Sequence, residues 1–398
     1  MNYRLEDENG KGSIGYAGSP LLLPLHFGLY RCFGFKRLDL LWTLFSLLGL
    51  SVTTVLFAGR LFGRGWILIL ASVGALWGFA PTALSLQLGQ MEGLYVPLVT
   101  MALYLLAFHS LRADGKVNRP ALCACGLLLA AASAVKIYPA VLGIYLGMSG
   151  LAEARFKRKA LVQTPAGQAG VWFLGGLIGI AGSAFLAFGP ELLGSFAERI
   201  RLLDRLDAAN LHEYRPSFAD YITHAARWLA PGGNFHLRAG GVAGLFQIGL
   251  AWAGGLTVCR LARSFPRDSD PRRYLLGFSW TLMALPTLMR HWWSYYGVIQ
   301  FIPLLITITF CAGVQNPRTR LGIEGLLIAG LFFAHPESVR FLLWMAGVPS
   351  RELPFLVATP GPPHLIRPGP AALLFGWPGQ LLLLAATWIT LLRSRSAS

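Results

Sequence analysis

From Leu38 onward the sequence repeats one pattern, an apolar block of helix-spanning length followed by a short polar or basic loop. About twenty apolar residues is what an α-helix needs to cross a bilayer core of roughly 30 Å. A chain in lipid must also satisfy its backbone hydrogen bonds internally, which leaves helices or closed barrels. None of the blocks alternates apolar and polar residues as a barrel strand does. The chain is 55% hydrophobic and 13% charged, against about 25% charged in soluble domains. The fold class expected is all-α: a polytopic helical bundle forming a single transmembrane domain over residues 1–398.

Spans are expected near 38–58, 66–85 and 92–110, then 168–188, 241–259, 274–289, 296–314, 319–335 and 372–392. Residues 19–34 are apolar but short and interrupted by Pro20, Pro24 and His26, which fits an interfacial or re-entrant helix. The block 120–148 is long for one span and holds Pro139 near its middle. Two short helices meeting near Lys136–Pro139 account for it, bringing the total to about eleven spans. Gly175 and Gly179, at GxxxG spacing, would permit close helix approach.

Topology follows from charge. The basic loops are 60–64, 111–119, 155–159, 260–273, 316–320 and the tail Arg393–Arg395. With 120–148 as a hairpin all six fall on one side, which the positive-inside rule makes cytoplasmic in a multi-pass protein of the cell membrane. That distribution also accounts for the net charge of +16 without nucleic acid. The five cysteines are scattered, so no metal, disulfide or cofactor is expected. The N-terminus is acidic (Glu6, Asp7, Glu8) and lacks the basic region of a signal peptide.

The opposite, external side collects the polar oddities: residues 1–18, Gln87–Glu92, the hairpin tip, the segment 189–240, Arg290–Tyr296 and 336–371. Residues 195–208 carry mixed charge at amphipathic spacing, as a headgroup-level helix does. His212–Ser217 is denser in hydrogen-bonding groups and includes Arg215. Lys136 is a lone cation in an apolar block, where a lysine costs about 2.5–3.5 kcal/mol at mid-bilayer and marks either a function or an interface anchor. Trp292, Trp293 and Tyr296 read first as interface-belt aromatics. Arg290 and His291 beside them, with Lys136 and Arg215, would make a cationic pocket against aromatic walls. Such a pocket suits a phosphate next to a sugar.

These segments resemble a known family. Gly89-Gln90-x-Glu92 before a span, a basic loop, then Lys136-x-x-Pro139 is similar to the GQxN and KxxP pattern of the polyprenol-phosphate-mannose-dependent alpha-mannosyltransferases, glycosyltransferase family 87 with the GT-C fold. Pro286 to Pro303 resembles that family's SPxSWxHHxxxLLP turn, and Tyr16 to Pro20 a worn form of its YPP segment. Here Glu92 stands where the family has Asn, and the Trp-x-His-His turn is reordered as Arg290-His291-Trp292-Trp293. The family's first-loop Asp has no counterpart in this sequence, so a form extended upstream by an Asp-bearing loop is expected to be the more active one.

The resemblance implies an enzyme, a hexosyltransferase. It would move a hexose, with mannose the expected sugar, from polyprenyl phosphate to a lipid or glycan acceptor on the external face. Catalysis needs a carboxylate to take the acceptor proton and cations for the departing phosphate. Glu92 is the expected catalytic carboxylate. Gln90, Lys136, Tyr138, Arg215, Arg290, His291, Trp292 and Tyr295 are the expected substrate-binding residues, with Lys136, Arg290 and His291 on the lipid phosphate. The partners implied are the lipid-linked sugar donor, the acceptor and membrane lipids. A lipid-linked-sugar transporter or flippase, or a non-catalytic member of a polysaccharide assembly complex, are the alternatives. A transporter would show a second broken hairpin matching 120–148, and the sequence offers no convincing one.

Overall fold

The computed structural model describes residues 4–5, 14–15, 23–87, 91–112, 114–209, 218, 221–222, 225, 235–264, 270–289, 294–334 and 376–393. Apart from a two-residue antiparallel ladder, Arg4–Leu5 with Ile14–Gly15, and an isolated bridge between Leu111 and Val117, regular structure among these residues is helical. In chain order the helices are α1 (Leu23–Phe62), α2 (Trp66–Gly78), α3 (Ala80–Gln87), α4 (Glu92–His109), α5 (Arg119–Val135) and α6 (Ala140–Lys157). They continue with α7 (Pro165–Ala209), α8 (Phe235–Ser264), α9 (Arg272–Leu288), α10 (Phe301–Ala312), α11 (Pro317–Ala334) and α12 (Trp377–Arg393). A 3-10 turn, Ser294–Gln300, leads into α10.

Among the described residues, four segments are long and apolar enough to cross a membrane: Leu40–Phe62, Glu92–His109, Pro165–Ala187 and Gly241–Ser264. Three of them, all but Glu92–His109, carry exposed apolar side chains, among them Ile178 (73% exposed), Leu186 (86%) and Trp252 (71%). Such continuous apolar surface is a liability in water and ordinary in lipid.

Two boundaries differ from the sequence expectation. Of the segment 19–34, the described part from Leu23 onward does not make a separate helix but runs unbroken into α1. Pro24 sits in the first turn, where its missing N–H breaks no bond. Residues 66–85 are two helices rather than one. Phe79 is extended (φ −73°, ψ 114°), and its carbonyl accepts from the Thr82 and Ala83 amides to start α3. Pro81, in the first turn of α3, cannot donate, which favours restarting the helix there. The helical backbone of α7 continues past Ala187 to Ala209 through a break at Gly189, whose φ of 70° only glycine adopts freely, followed by Pro190.

Close contacts fix the helix directions. Ser46 of α1 lies against Gly93 of α4 and Gly49 against Pro97, while Phe57 meets Tyr104 and Phe108. These two helices are therefore parallel. Gly126 of α5 admits Ala169 and Phe173 of α7, and Gly176 of α7 admits Ala130. Gly150 and Gly143 of α6 admit Gly167 and Phe173. So α7 is parallel to α5, antiparallel to α6, and packed against both. The expected hairpin is present, with its turn at Lys136–Pro139. The close approach on α7 is made by Gly176, not by Gly175 or Gly179, which face open space. Gly175 and Gly176 are adjacent and point about 100° apart, so both cannot face α5, and GxxxG spacing does not say which does.

The remaining helices extend the pattern. Gln247 of α8 reaches Thr287 of α9, Trp280 of α9 meets Trp388 of α12, and Trp377 bonds Thr287. Gln300 and Thr307 of the 3-10 turn and α10 pair with Gln380 and Thr387 of α12. Followed through, these contacts gather Arg60, Arg112, Lys116, Arg155, Lys157, Arg263, Arg272, Arg318 and Arg393 at one end of the bundle, here called the basic end. The turns of α1 that precede Ser46 run past the other end.

Candidate functional site

Lys136 owes its position to a failed helix. Val135 ends α5, Lys136 is extended (φ −139°, ψ 140°), and its amide bonds back to the Ala132 carbonyl. Pro139, with φ −56°, is already set for a helix start. The carbonyls of Ile137, Tyr138 and Pro139 accept from the amides of Ala140, Val141 and Leu142 to begin α6. The lysine therefore stands on a non-helical turn, at the end of the bundle opposite the basic loops.

Its ammonium lies 4.0 Å from Glu92 Oε1, with the carboxylate side chain 0% exposed and the lysine 16%. Glu92 opens α4, where a negative charge complements the helix dipole. Ser85 of α3 donates its hydroxyl to Glu92 Oε2 at 3.1 Å. Around the lysine stand aromatic rings: Nζ is 4.7 Å from the Tyr296 centroid and 5.9 Å from that of Tyr138. Tyr138 packs in turn on Tyr296 (4.8 Å) and edge-on to Tyr95 (5.8 Å). A cation over such faces is held by the ring quadrupoles. Five separate parts of the chain thus converge here: α3, α4, the 136–139 turn, the 3-10 turn and, through Ser46 on Gly93, α1.

Of the expected site residues, the structure brings Glu92, Lys136 and Tyr138 together. Gln90, Arg215, Arg290, His291 and Trp292 lie outside the described residues. So do the side chain of Tyr295, whose backbone is in the 3-10 turn, and the segments Tyr16–Pro20, His212–Ser217 and 336–371. Tyr296 is not an interface-belt residue. It is 9% exposed and packs on Lys136 and Tyr138. A tight aromatic turn reads as a belt because sequence gives depth along the membrane but not the direction a ring points. Ser85 and Tyr95 were not singled out from sequence either, and a hydroxyl in an apolar helix carries no signal of its partner.

A second charged cluster at the basic end also escaped sequence reading. Glu153 of α6 and Arg273 of α9 are 3.7 Å apart and 0% and 2% exposed. Tyr274 donates its hydroxyl to Glu153 at 3.0 Å and accepts a bond from Arg273. The guanidinium also lies 4.3 Å from the Tyr274 ring centroid. Tyr145 donates to the Arg273 carbonyl at 3.4 Å. Arg272, one residue earlier, faces outward and binds Asp270. The sequence reading placed both arginines in the basic loop 260–273.

Chemically, the Lys136 site offers a cation beside aromatic faces and a carboxylate within reach of it. That set can bind an anion next to a flat apolar or sugar face and can hold or accept a proton. Among the described residues there is no cluster of His, Cys, Asp or Glu arranged to hold a metal ion. Compared with family models, with curated proteins and with solved structures, the chain matches none.

Proposed function

We propose that this is a multi-pass protein of the cell membrane, with its basic end in the cytoplasm, of GT-C type and about eleven spans. We propose further that it is a glycosyltransferase moving a hexose, mannose first, from polyprenyl phosphate to a lipid or glycan acceptor on the external face. The observation that carries this reading is the Lys136 ammonium set between Glu92, Tyr138 and Tyr296 at the end away from the basic loops. Ile137, beside it, stands 72% exposed, which suits contact with lipid.

In the reaction, the acceptor oxygen bonds to the sugar's anomeric carbon as the bond from that carbon to the phosphate oxygen breaks. The acceptor proton passes to a carboxylate, here Glu92, and the lipid leaves as a phosphate monoester. Lys136, with Arg290 and His291, offsets the charge that grows on the leaving phosphate. Gln90, Tyr138, Arg215, Trp292 and Tyr295 would line the sugar and acceptor positions.

The test is a transfer assay with labelled polyprenyl-phosphate-mannose on the full chain. Lys136→Met is expected to lower transfer about ten- to a hundredfold, from the loss of roughly 1.5–3 kcal/mol of charged contact. Undiminished transfer in Lys136→Met would remove the lysine from the site. Movement of the lipid-linked sugar across vesicles with no transfer product would replace the enzyme by a transporter.

A further inference from the structure

The pairing of Lys136 with Glu92 has a consequence for how an anion could bind. We infer that Glu92 is a built-in stand-in for the ligand's anion: it sits as the counter-ion of Lys136, and the phosphate group of an incoming isoprenyl phosphate lipid displaces it. This rests on reading Lys136 as the phosphate seat.

Four features support exchange over a fixed bridge. First, the two partners are unequally accessible, the lysine 16% exposed and the carboxylate 0%, so a ligand meets the cation first. Second, the gap of 4.0 Å is long for such a pair. A charge-assisted N–H···O bond closes to about 2.7–2.9 Å, and a phosphate offers several oxygens with which to make one. Third, Glu92 does not depend on Lys136 alone, since Ser85 donates to it and it lies at the start of α4. It can therefore stay buried while the ammonium turns away. Fourth, Lys136 is on an extended residue between two helices, with a four-carbon stem that rotates easily. The Tyr296 and Tyr138 rings, 4.7 and 5.9 Å from the ammonium, attract it through their faces.

The sign of one substitution separates this from a direct contact. If Glu92 is an internal competitor, Glu92→Gln removes it and phosphate binds more tightly. If Glu92 touches the ligand's sugar or only braces the turn, the same change weakens binding or leaves it alone.

The experiment uses the full chain in nanodiscs and follows tryptophan fluorescence on titration with a short isoprenyl phosphate, the matching isoprenol and inorganic phosphate. The isoprenyl phosphate is expected to bind Glu92→Gln about ten- to a hundredfold more tightly than wild type, the size of a charged hydrogen bond. Glu92→Asp, which lengthens the pair and keeps the charge, should give a gain of the same sign and smaller size. Lys136→Met should bind the phosphate and the isoprenol alike. Inorganic phosphate gaining from Glu92→Gln as much as the lipid does would assign the seat to free phosphate, still with Glu92 as its stand-in. Unchanged or weaker binding by both Glu92 variants, with wild type still preferring the phosphate over the isoprenol, overturns the stand-in while Lys136 remains a phosphate site. No preference for phosphate in wild type or in either Glu92 variant overturns both.

Discussion

The two charged pairs stand near opposite ends of α6, roughly 25 Å apart along the helix at about 1.5 Å per residue, and are built differently. Glu153–Arg273 is sealed on both sides, shares the Tyr274 hydroxyl, and joins α6 to α9. Its cation is an arginine, whose planar fork is stacked on a ring. Glu92–Lys136 is partly open, longer, and uses a lysine on a non-helical turn. A buried pair stripped of one partner leaves an uncompensated charge, which is far more costly than loosening a pair that reaches solvent. The difference teaches that one pair fastens the bundle, and that the other can be exchanged without unfastening it.

The largest effect should come from breaking the sealed pair. Arg273→Met is expected to cost about 3–5 kcal/mol of stability, read as loss of the folded fraction on heating in detergent. Adding Glu153→Gln should recover much of that loss, because the stranded charge goes with it. Lys136→Met also leaves a buried carboxylate, but one that keeps the Ser85 hydroxyl and the α4 helix start, so a smaller cost of about 1–2 kcal/mol is expected by the same measurement. Equal costs for Arg273→Met and Lys136→Met would erase the distinction between the ends.

Glycines next to each pair sharpen the contrast at intermediate size. A Cβ on Gly277 would lie 2.6 Å from the Tyr145 hydroxyl and 2.7 Å from its ring, and one on Gly93 would lie 2.8 Å from the Ser46 Cα. Each Ala substitution should cost about 1–3 kcal/mol through overpacking. Gly277→Ala is expected to lower thermal stability and leave phosphate preference unchanged. Gly93→Ala should alter both, since it moves α1 off the start of α4 beside Glu92. A change in phosphate preference from Gly277→Ala would mean that the two ends are coupled.

The smallest effect belongs to Ser85→Ala. It removes one donor from a carboxylate that keeps Lys136 and the helix start, so about 1 kcal/mol is expected. Tyr274→Phe should cost more in the same heating assay, because the Tyr274 hydroxyl serves Glu153 and Arg273 together. A larger loss from Ser85→Ala would make the open end the tighter of the two.

Block length, loop charge and the Lys136–Pro139 interruption were enough to read an all-helical chain, a hairpin at 120–148 and a common side for the basic loops. Those features act locally: hydrocarbon thickness sets helix length, and proline disrupts a helix wherever it falls beyond the first turn. The break at Phe79 is not legible because 66–85 is uncharged and mostly apolar throughout. Composition fixes whether a segment can span, not whether its backbone stays helical across a Gly78–Pro81 stretch.

Partnership was beyond the sequence. Glu92 and Lys136 were each visible as polar residues in or beside apolar blocks, but their meeting depends on α4 and α5 running antiparallel with their ends level. Which of Arg272 and Arg273 turns inward depends on the rotation of α9 against α6, and the same rotation puts Tyr274 beside Glu153. Sequence by itself determined that the chain is helical and apolar and that its basic loops share one side, because those follow from the cost of backbone and charge in hydrocarbon. Only the tertiary structure decided which charges neutralise one another, because side-chain pairing is set by helix rotation and offset, and distant packing contacts control both.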